Sequence, residues 1–270
     1  MKRRDFIKGS AAGAATALSS FKESQSTESR THRWIDRETC VGCGQCVPLC
    51  PMGAITLDEK SSIDPDECAE CGVCWRSRVC PADAIHRGEL AWPRVMREVF
   101  SNPMAEHKTT GVAGRGTEGI KTNDSKGRYK RGQMGVFVEL GRPALGARFR
   151  DVEKVVKKFK AHGYDVNSDN PVADLVADKN TGALKPDILD EKVISCLVEF
   201  VLPDTAAGEL LEMARELSGE VDSVFNVCVG LRAKPGGGSP LNDLFGSETF
   251  SLPNGKVNIG VAVGLSGKEG

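Results

Sequence analysis

Residues 40–51 read CVGCGQCVPLCP and residues 68–81 read CAECGVCWRSRVCP. The first is C-x2-C-x2-C-x3-C-P, from Cys40, Cys43, Cys46, Cys50 and Pro51. The second is C-x2-C-x2-C-x5-C-P, from Cys68, Cys71, Cys74, Cys80 and Pro81. Eight of the chain's ten cysteines thus fall within 41 residues. The surroundings repeat as well. Trp34-Ile35-Asp36 precedes the first triplet as Ser62-Ile63-Asp64 precedes the second, and Ala54-Ile55 follows the first Cys-Pro as Ala84-Ile85 follows the second. The triplets are offset by 28 residues and the Cys-Pro units by 30, so two extra residues lie between Cys74 and Cys80.

Three chemistries use cysteines in such numbers. Exported proteins pair them as disulfides, thiolate quartets hold zinc, and thiolates hold iron–sulfur cores. Disulfide frameworks seldom place three cysteines this close, and zinc sites usually pair two C-x2-C units per ion. A triplet at three-residue spacing sets three thiolates around one corner of an inorganic core, and a fourth cysteine before proline is offset toward a second core. On these motifs, residues 34–88 resemble the dicluster [4Fe–4S] ferredoxins of bacterial type. The resemblance implies two halves about a pseudo-twofold, each a short strand, a cluster loop, one helical turn and a return strand. It also implies crossed ligation: a first cluster on Cys40, Cys43, Cys46 and Cys80, a second on Cys68, Cys71, Cys74 and Cys50. The C-x5-C loop departs from the compact family pattern and bears on the surroundings of the first cluster. Its Trp75, Arg76 and Arg78 either shield that cluster or form an ordinary surface loop.

A chain of 270 residues suffices for two compact domains. The net charge of −1 gives no footprint for nucleic acid. That neutrality hides segment differences. Lys plus Arg against Asp plus Glu runs 6 to 3 in residues 1–31, 6 to 10 in 32–92, 9 to 4 in 93–133 and 15 to 20 in 134–270. The first segment reads as a signal peptide: Lys2-Arg3-Arg4-Asp5-Phe6-Ile7-Lys8, a weakly apolar run from Gly9 to Leu18, then polar residues to Thr31. Its paired arginines resemble the twin-arginine export motif. The run is too short and too rich in Ala and Gly to span a bilayer, and Ala15-Thr16-Ala17 fits a cleavage site. By what is known of it, that route carries folded, cofactor-loaded cargo, which agrees with a cluster domain assembled in the cytoplasm. The expected location is periplasmic or otherwise extracytoplasmic, with membrane association through a partner as a further option.

Residues 93–133 read as a Gly-rich basic connector, helical only near Arg94–Phe100. Gly111 to Gly119 matches neither a Walker loop nor a dinucleotide fingerprint. The basic strap suits neutralisation of the acidic cluster segment or docking to an acidic redox partner. Residues 134–270 read as a separate α+β domain. Met134–Leu140 alternates as a strand, and Phe149, Val152, Val156 and Phe159 recur at helical spacing. Residues 164–182 return in extended form and Lys192–Leu202 is a strand. A helix with Leu210, Ala214 and Leu217 inward follows, then strands over Ser223–Arg232 and Lys256–Leu265. The order β-α-β-β-α-β is the split βαβ plan, with helices on one face of an antiparallel sheet. It resembles the ferredoxin-like domains of ACT type in topology alone, which licenses no function. In that plan Cys196 and Cys228 lie two strands apart on opposite faces, too far for a disulfide, and stay unbridged thiols.

His32, His86, His107 and His162 show no metal-ligand spacing, and no catalytic motif or carboxylate pair is recognisable. The expected function is electron transfer by two [4Fe–4S] clusters in the redox subunit of an exported oxidoreductase, not a catalyst by itself. The expected partner is a flavin or molybdenum catalytic subunit. Nucleic acid is not expected, nor is a transmembrane span of its own, and the C-terminal sheet offers a surface for a homo-oligomer. The competing readings are a redox- or ligand-responsive regulator with an ACT-like binding domain, or an enzyme with a site between the clusters and the connector.

Overall fold

The computed structural model describes residues 30–106, 129–142, 145–238 and 240–246. The signal segment, the run Gly111–Gly119 and the strand expected at Lys256–Leu265 lie outside them. Two apolar cores form, one among the cysteines and one in the C-terminal part.

In the cysteine lobe, β1 (Trp34–Ile35) pairs antiparallel with β4 (Ile85–His86), and β2 (Ile55–Leu57) pairs antiparallel with β3 (Ser61–Ile63). Each pair joins one half of the repeat to the other. Matching hydrogen bonds make the internal symmetry physical. Asp36 N–H donates to the Ala84 carbonyl as Asp64 N–H donates to the Ala54 carbonyl, both at 2.8 Å. Cys40 N–H then bonds the Asp36 carbonyl at 2.9 Å, and Cys68 N–H bonds that of Asp64 at 3.0 Å. The helical turns differ. The first half has a 3-10 turn at Val47–Leu49, whereas the two extra residues of the second half widen it into α1 (Val73–Arg76).

The connector is ordered where it leaves this lobe. Helix α2 (Val95–Ser101) buries Arg97, Glu98, Phe100 and Ser101. Arg97 Nη1 donates to three carbonyls, of Pro65, Asp66 and Cys68, at 2.8, 2.9 and 2.9 Å, while its Nε bonds Glu191. Phe100 meets Phe149 edge-on at 5.1 Å. The helix therefore packs in the C-terminal core and ties it to the cysteine lobe by hydrogen bonds.

The C-terminal part centres on β5 (Gln133–Leu140), flanked antiparallel by β10 (Cys196–Pro203) and β11 (Phe225–Leu231). Alternation puts Met134, Val136, Val138 and Leu140 on one face beside Cys196, Val198, Phe200 and Leu202. Helix α3 (Phe149–Ala161) brings Phe149, Val152, Val156 and Phe159 to that face, and α4 (Ala207–Glu220) brings Leu210, Met213 and Leu217. Phe159 stacks on Phe200 at 3.9 Å. On the other face Tyr129 lies over Gly135, where a Cβ would collide with its ring.

Three expectations need correction. The strand expected over Lys192–Leu202 is broken: β9 (Lys192–Val193) pairs with β6 (Ala147–Arg148), Ile194 N–H goes to Ser101 Oγ at 2.9 Å, and the main strand starts at Cys196. The extended return does not join the main sheet; β7 (Val176–Asp178) and β8 (Ala183–Leu184) form a hairpin of their own. The edge of β10 is met instead by isolated bonds, from Asn167 N–H to the Glu199 carbonyl at 2.8 Å and from Asn170 Nδ2 to that of Leu197 at 2.9 Å. In α4 the inward residue is Met213 where Ala214 was expected. No disulfide joins Cys196 to Cys228; Cys196 is buried on the Leu140 side and Cys228 is exposed on the Phe137 side.

Candidate metal centre

The cysteine loops are held open by left-handed backbone. Gly42, Gly44, Gly53 and Gly72 take positive φ, and so do Glu70, Arg78 and Asp83. Gly42 and Glu70 are equivalent in the repeat, as are Gly44 and Gly72. This conformation aims backbone N–H groups at sulfur. The N–H of Gly42 and that of Ser61 bond Cys40, and the first holds its thiol below the ordinary range. Glu70 N–H serves Cys68 and Val73 N–H serves Cys71. Ala54 N–H reaches Cys50 Sγ and Ala84 N–H reaches Cys80 Sγ, each at 3.2 Å. Such donors suit thiolates bound to iron and tune the potential of the bound cluster.

The second triplet is the more enclosed. Cys68, Cys71 and Cys74 are buried, and burial raises all three thiols, Cys68 to about 12 and Cys74 to about 11. Cys50 stands close enough to both Cys71 and Cys74 to raise them further. Cys50, the fourth cysteine of the first motif, is thus within electrostatic range of two cysteines of the second triplet. Cys40, Cys46 and Cys80 share the apolar cluster that includes Ile35, Ile55 and Ile85, while Cys43 is exposed. Among the described residues no three His, Cys, Asp or Glu side chains converge on a single metal ion. The donor set, all sulfur with N–H groups aimed at it, fits a polynuclear iron–sulfur core.

The inserted loop does not simply cover the first triplet. Arg76 turns back, its Nη1 donating to the Cys71 carbonyl at 2.7 Å and to Asn102 Oδ1 at 2.6 Å. Trp75 and Arg78 line an open cavity of about 190 Å³ with Cys74, Cys80, Asp83 and Ile85. Of the histidines, His86 packs on Trp34 at 4.7 Å and His162 pairs with Glu209, while His107 lies outside the described residues. Sequence reasoning missed Arg33 and Glu70. Both are charged yet buried at the second triplet, and the only signal was that Gly42 is Glu70 in the repeat.

Residues 33–56 match the family model described as a 4Fe-4S binding domain, and residues 1–19 match that of the twin-arginine translocation pathway signal sequence. The chain is similar to pyruvate synthase subunit PorD of Methanothermobacter marburgensis, 37% identical over 71 residues that cover 24% of this chain and 83% of that one. An uncharacterized ferredoxin of Methanocaldococcus jannaschii is 39% identical over 56 residues, 19% of this chain and 70% of its own. A ferredoxin-like protein in the vnf region of Azotobacter vinelandii is 42% identical over 53 residues, 18% and 82% of the two chains. No solved structure matches the chain closely enough to be called similar. No described helix is long and apolar enough to cross a membrane. Spacing, sulfur-directed N–H groups and these likenesses agree: the chain belongs to the 4Fe–4S ferredoxin family and carries a twin-arginine signal sequence.

Proposed function

We propose that the chain is an electron-transfer subunit holding two [4Fe–4S] clusters, exported already folded and committed to one redox partner. The observation that supports the reading is that Cys50 lies within electrostatic range of Cys71 and Cys74, because crossed ligation requires a cysteine from each half at each site. Cys40, Cys43, Cys46 and Cys80 would hold the first cluster, and Cys68, Cys71, Cys74 and Cys50 the second. When bound, the clusters supply reversible one-electron storage. The chain's own work is to bury the sulfurs, direct N–H groups at them and exclude water from the second site.

Commitment to a partner is supported by α2. A freely diffusing ferredoxin needs neither a buried arginine bridge nor a second core. The relatives include a protein named as a subunit of pyruvate synthase. By analogy with exported iron–sulfur subunits, the partner here is a flavin or molybdenum catalytic subunit. The segment 32–92 acts as the redox domain. The α+β domain proposed over residues 134–270 keeps three strands of the split βαβ plan in its main sheet, and among the described residues β11 is an edge strand that a second copy would use. Anaerobic purification of the tagged chain from its native host tests the commitment. A stoichiometric flavoprotein or molybdoprotein is expected; a monomer that instead binds a metabolite in the C-terminal domain contradicts it.

A further inference from the structure

Arg33 is 2% exposed, and among the described residues its Nε and Nη1 have no hydrogen-bond partner. A buried guanidinium left in that state is costly, because its lost hydration is not replaced. Glu70 answers it only in part, as an ion pair at Nε beyond hydrogen-bond distance whose Oε2 is itself without a hydrogen bond. That carboxylate, 0% exposed, approaches Arg33 Nε only to 3.7 Å through Oε2. Its Oε1 is occupied by Arg94, from Nε at 2.9 Å and Nη2 at 2.7 Å, and by the Arg33 backbone N–H at 3.1 Å. Two arginines against one carboxylate leave one positive charge over.

The surplus charge lies on the second triplet. A Cβ at Gly72 would stand 3.4 Å from Arg33 Nη2, and the guanidinium carbon lies 5.8 Å from the centre of the Trp75 ring. Gly72 and Trp75 flank Val73 and Cys74. Arg33 also favours the thiolate forms of Cys71 and Cys74. The repeat makes the asymmetry plain. At the 28-residue offset Arg33 corresponds to Ser61, which meets the first triplet as a neutral group through its Oγ, 3.4 Å from Cys46 Sγ. Likewise Glu70 corresponds to Gly42. The second site thus carries a cation where the first carries a hydroxyl, and the carboxylate beside that cation replaces a glycine at positive φ.

Resting on the two-cluster reading above, we propose that Arg33 donates its unpartnered N–H groups to sulfur of the second cluster and raises that cluster's reduction potential. A cluster that accepts one electron gains one negative charge, and a fixed buried cation beside it favours the reduced form. Glu70 opposes Arg33 and so sets the potential from the other side.

The test uses the full chain purified anaerobically with its clusters, counted first by iron and sulfide analysis and then titrated with dithionite under electron paramagnetic resonance. In Arg33→Ser, which copies the first site, one midpoint falls and the other stays; in Arg33→Lys the same midpoint falls less. In Glu70→Gln that midpoint rises. Both midpoints unchanged in Arg33→Ser at full iron content overturns the proposal, as does a shift of equal size in both clusters. If Arg33→Ser does not retain its iron, Glu70→Gln decides: a rise in one midpoint supports the proposal, and no movement overturns it. An unmodified chain with one cluster's worth of iron would instead refute the two-cluster reading.

Discussion

At the scale of residues, burial separates cysteines that composition makes alike. Cys196 is 1% exposed in the sheet face under α3, and burial alone holds its thiol far above the ordinary range. Cys228, on the opposite face of the same sheet, is exposed. In the folded, cluster-loaded protein iodoacetamide is therefore expected to modify Cys228 and spare Cys196, read by mass spectrometry of the digest; a modified Cys196 would contradict the burial. Tyr164 offers a second residue-scale check. Its hydroxyl donates to Glu209 at 2.7 Å, and burial, with that hydrogen bond next, raises its pKa to about 12. The raised value means that the fold favours neutral Tyr164. Its contribution to stability is fully present below about pH 10, where unfolded tyrosine begins to ionise. It is lost as pH rises through about 12. Tyrosinate absorbance near 295 nm, with Tyr164→Phe as reference, should show the late ionisation, and Glu209→Gln should bring it earlier.

At the scale of elements, what the sequence hides is what distant residues decide. The cysteine loops were legible because the ligand spacing is itself the local structure: strand, loop and turn follow within a dozen residues. The helix near residues 95–101 was legible as a short helix, but its purpose was not. Arg94 and Arg97 counted only toward the basic balance of residues 93–133, and only the fold shows that Glu70, Glu191 and three carbonyls take them up. The break at Ile194–Ser195 was likewise invisible, since it depends on Ser101 capturing the Ile194 N–H from 93 positions away. The return strand failed to join the sheet because Asn167 and Asn170 reach the β10 edge by single bonds and leave no ladder to extend. Arg97→Met is the sharpest element-scale test. It takes the donor from the carbonyls of Pro65, Asp66 and Cys68 and from Glu191, and is expected to cost about 3 kcal/mol in denaturant unfolding followed by circular dichroism. A loss under about 0.5 kcal/mol, the range of ordinary surface substitutions, would show that α2 does not bind the two cores together.

At the scale of the whole molecule, a signal, a ferredoxin lobe and an α+β part lie on one chain. Folded export predicts that Arg3→Lys with Arg4→Lys leaves the protein inside the cytoplasm, still cluster-loaded, when cell fractions are blotted and their iron measured. Retention without loss of clusters is the expected result, because all eight clustered cysteines lie beyond the signal sequence. Export of the double variant at the normal level would contradict the twin-arginine route. The central claim is that both halves of the repeat hold a cluster. Iron and acid-labile sulfide analysis of the anaerobically purified full chain tests it most directly. The account predicts about eight irons and about eight sulfides per chain. About four of each would mean that one cysteine set stays empty, and would contradict it.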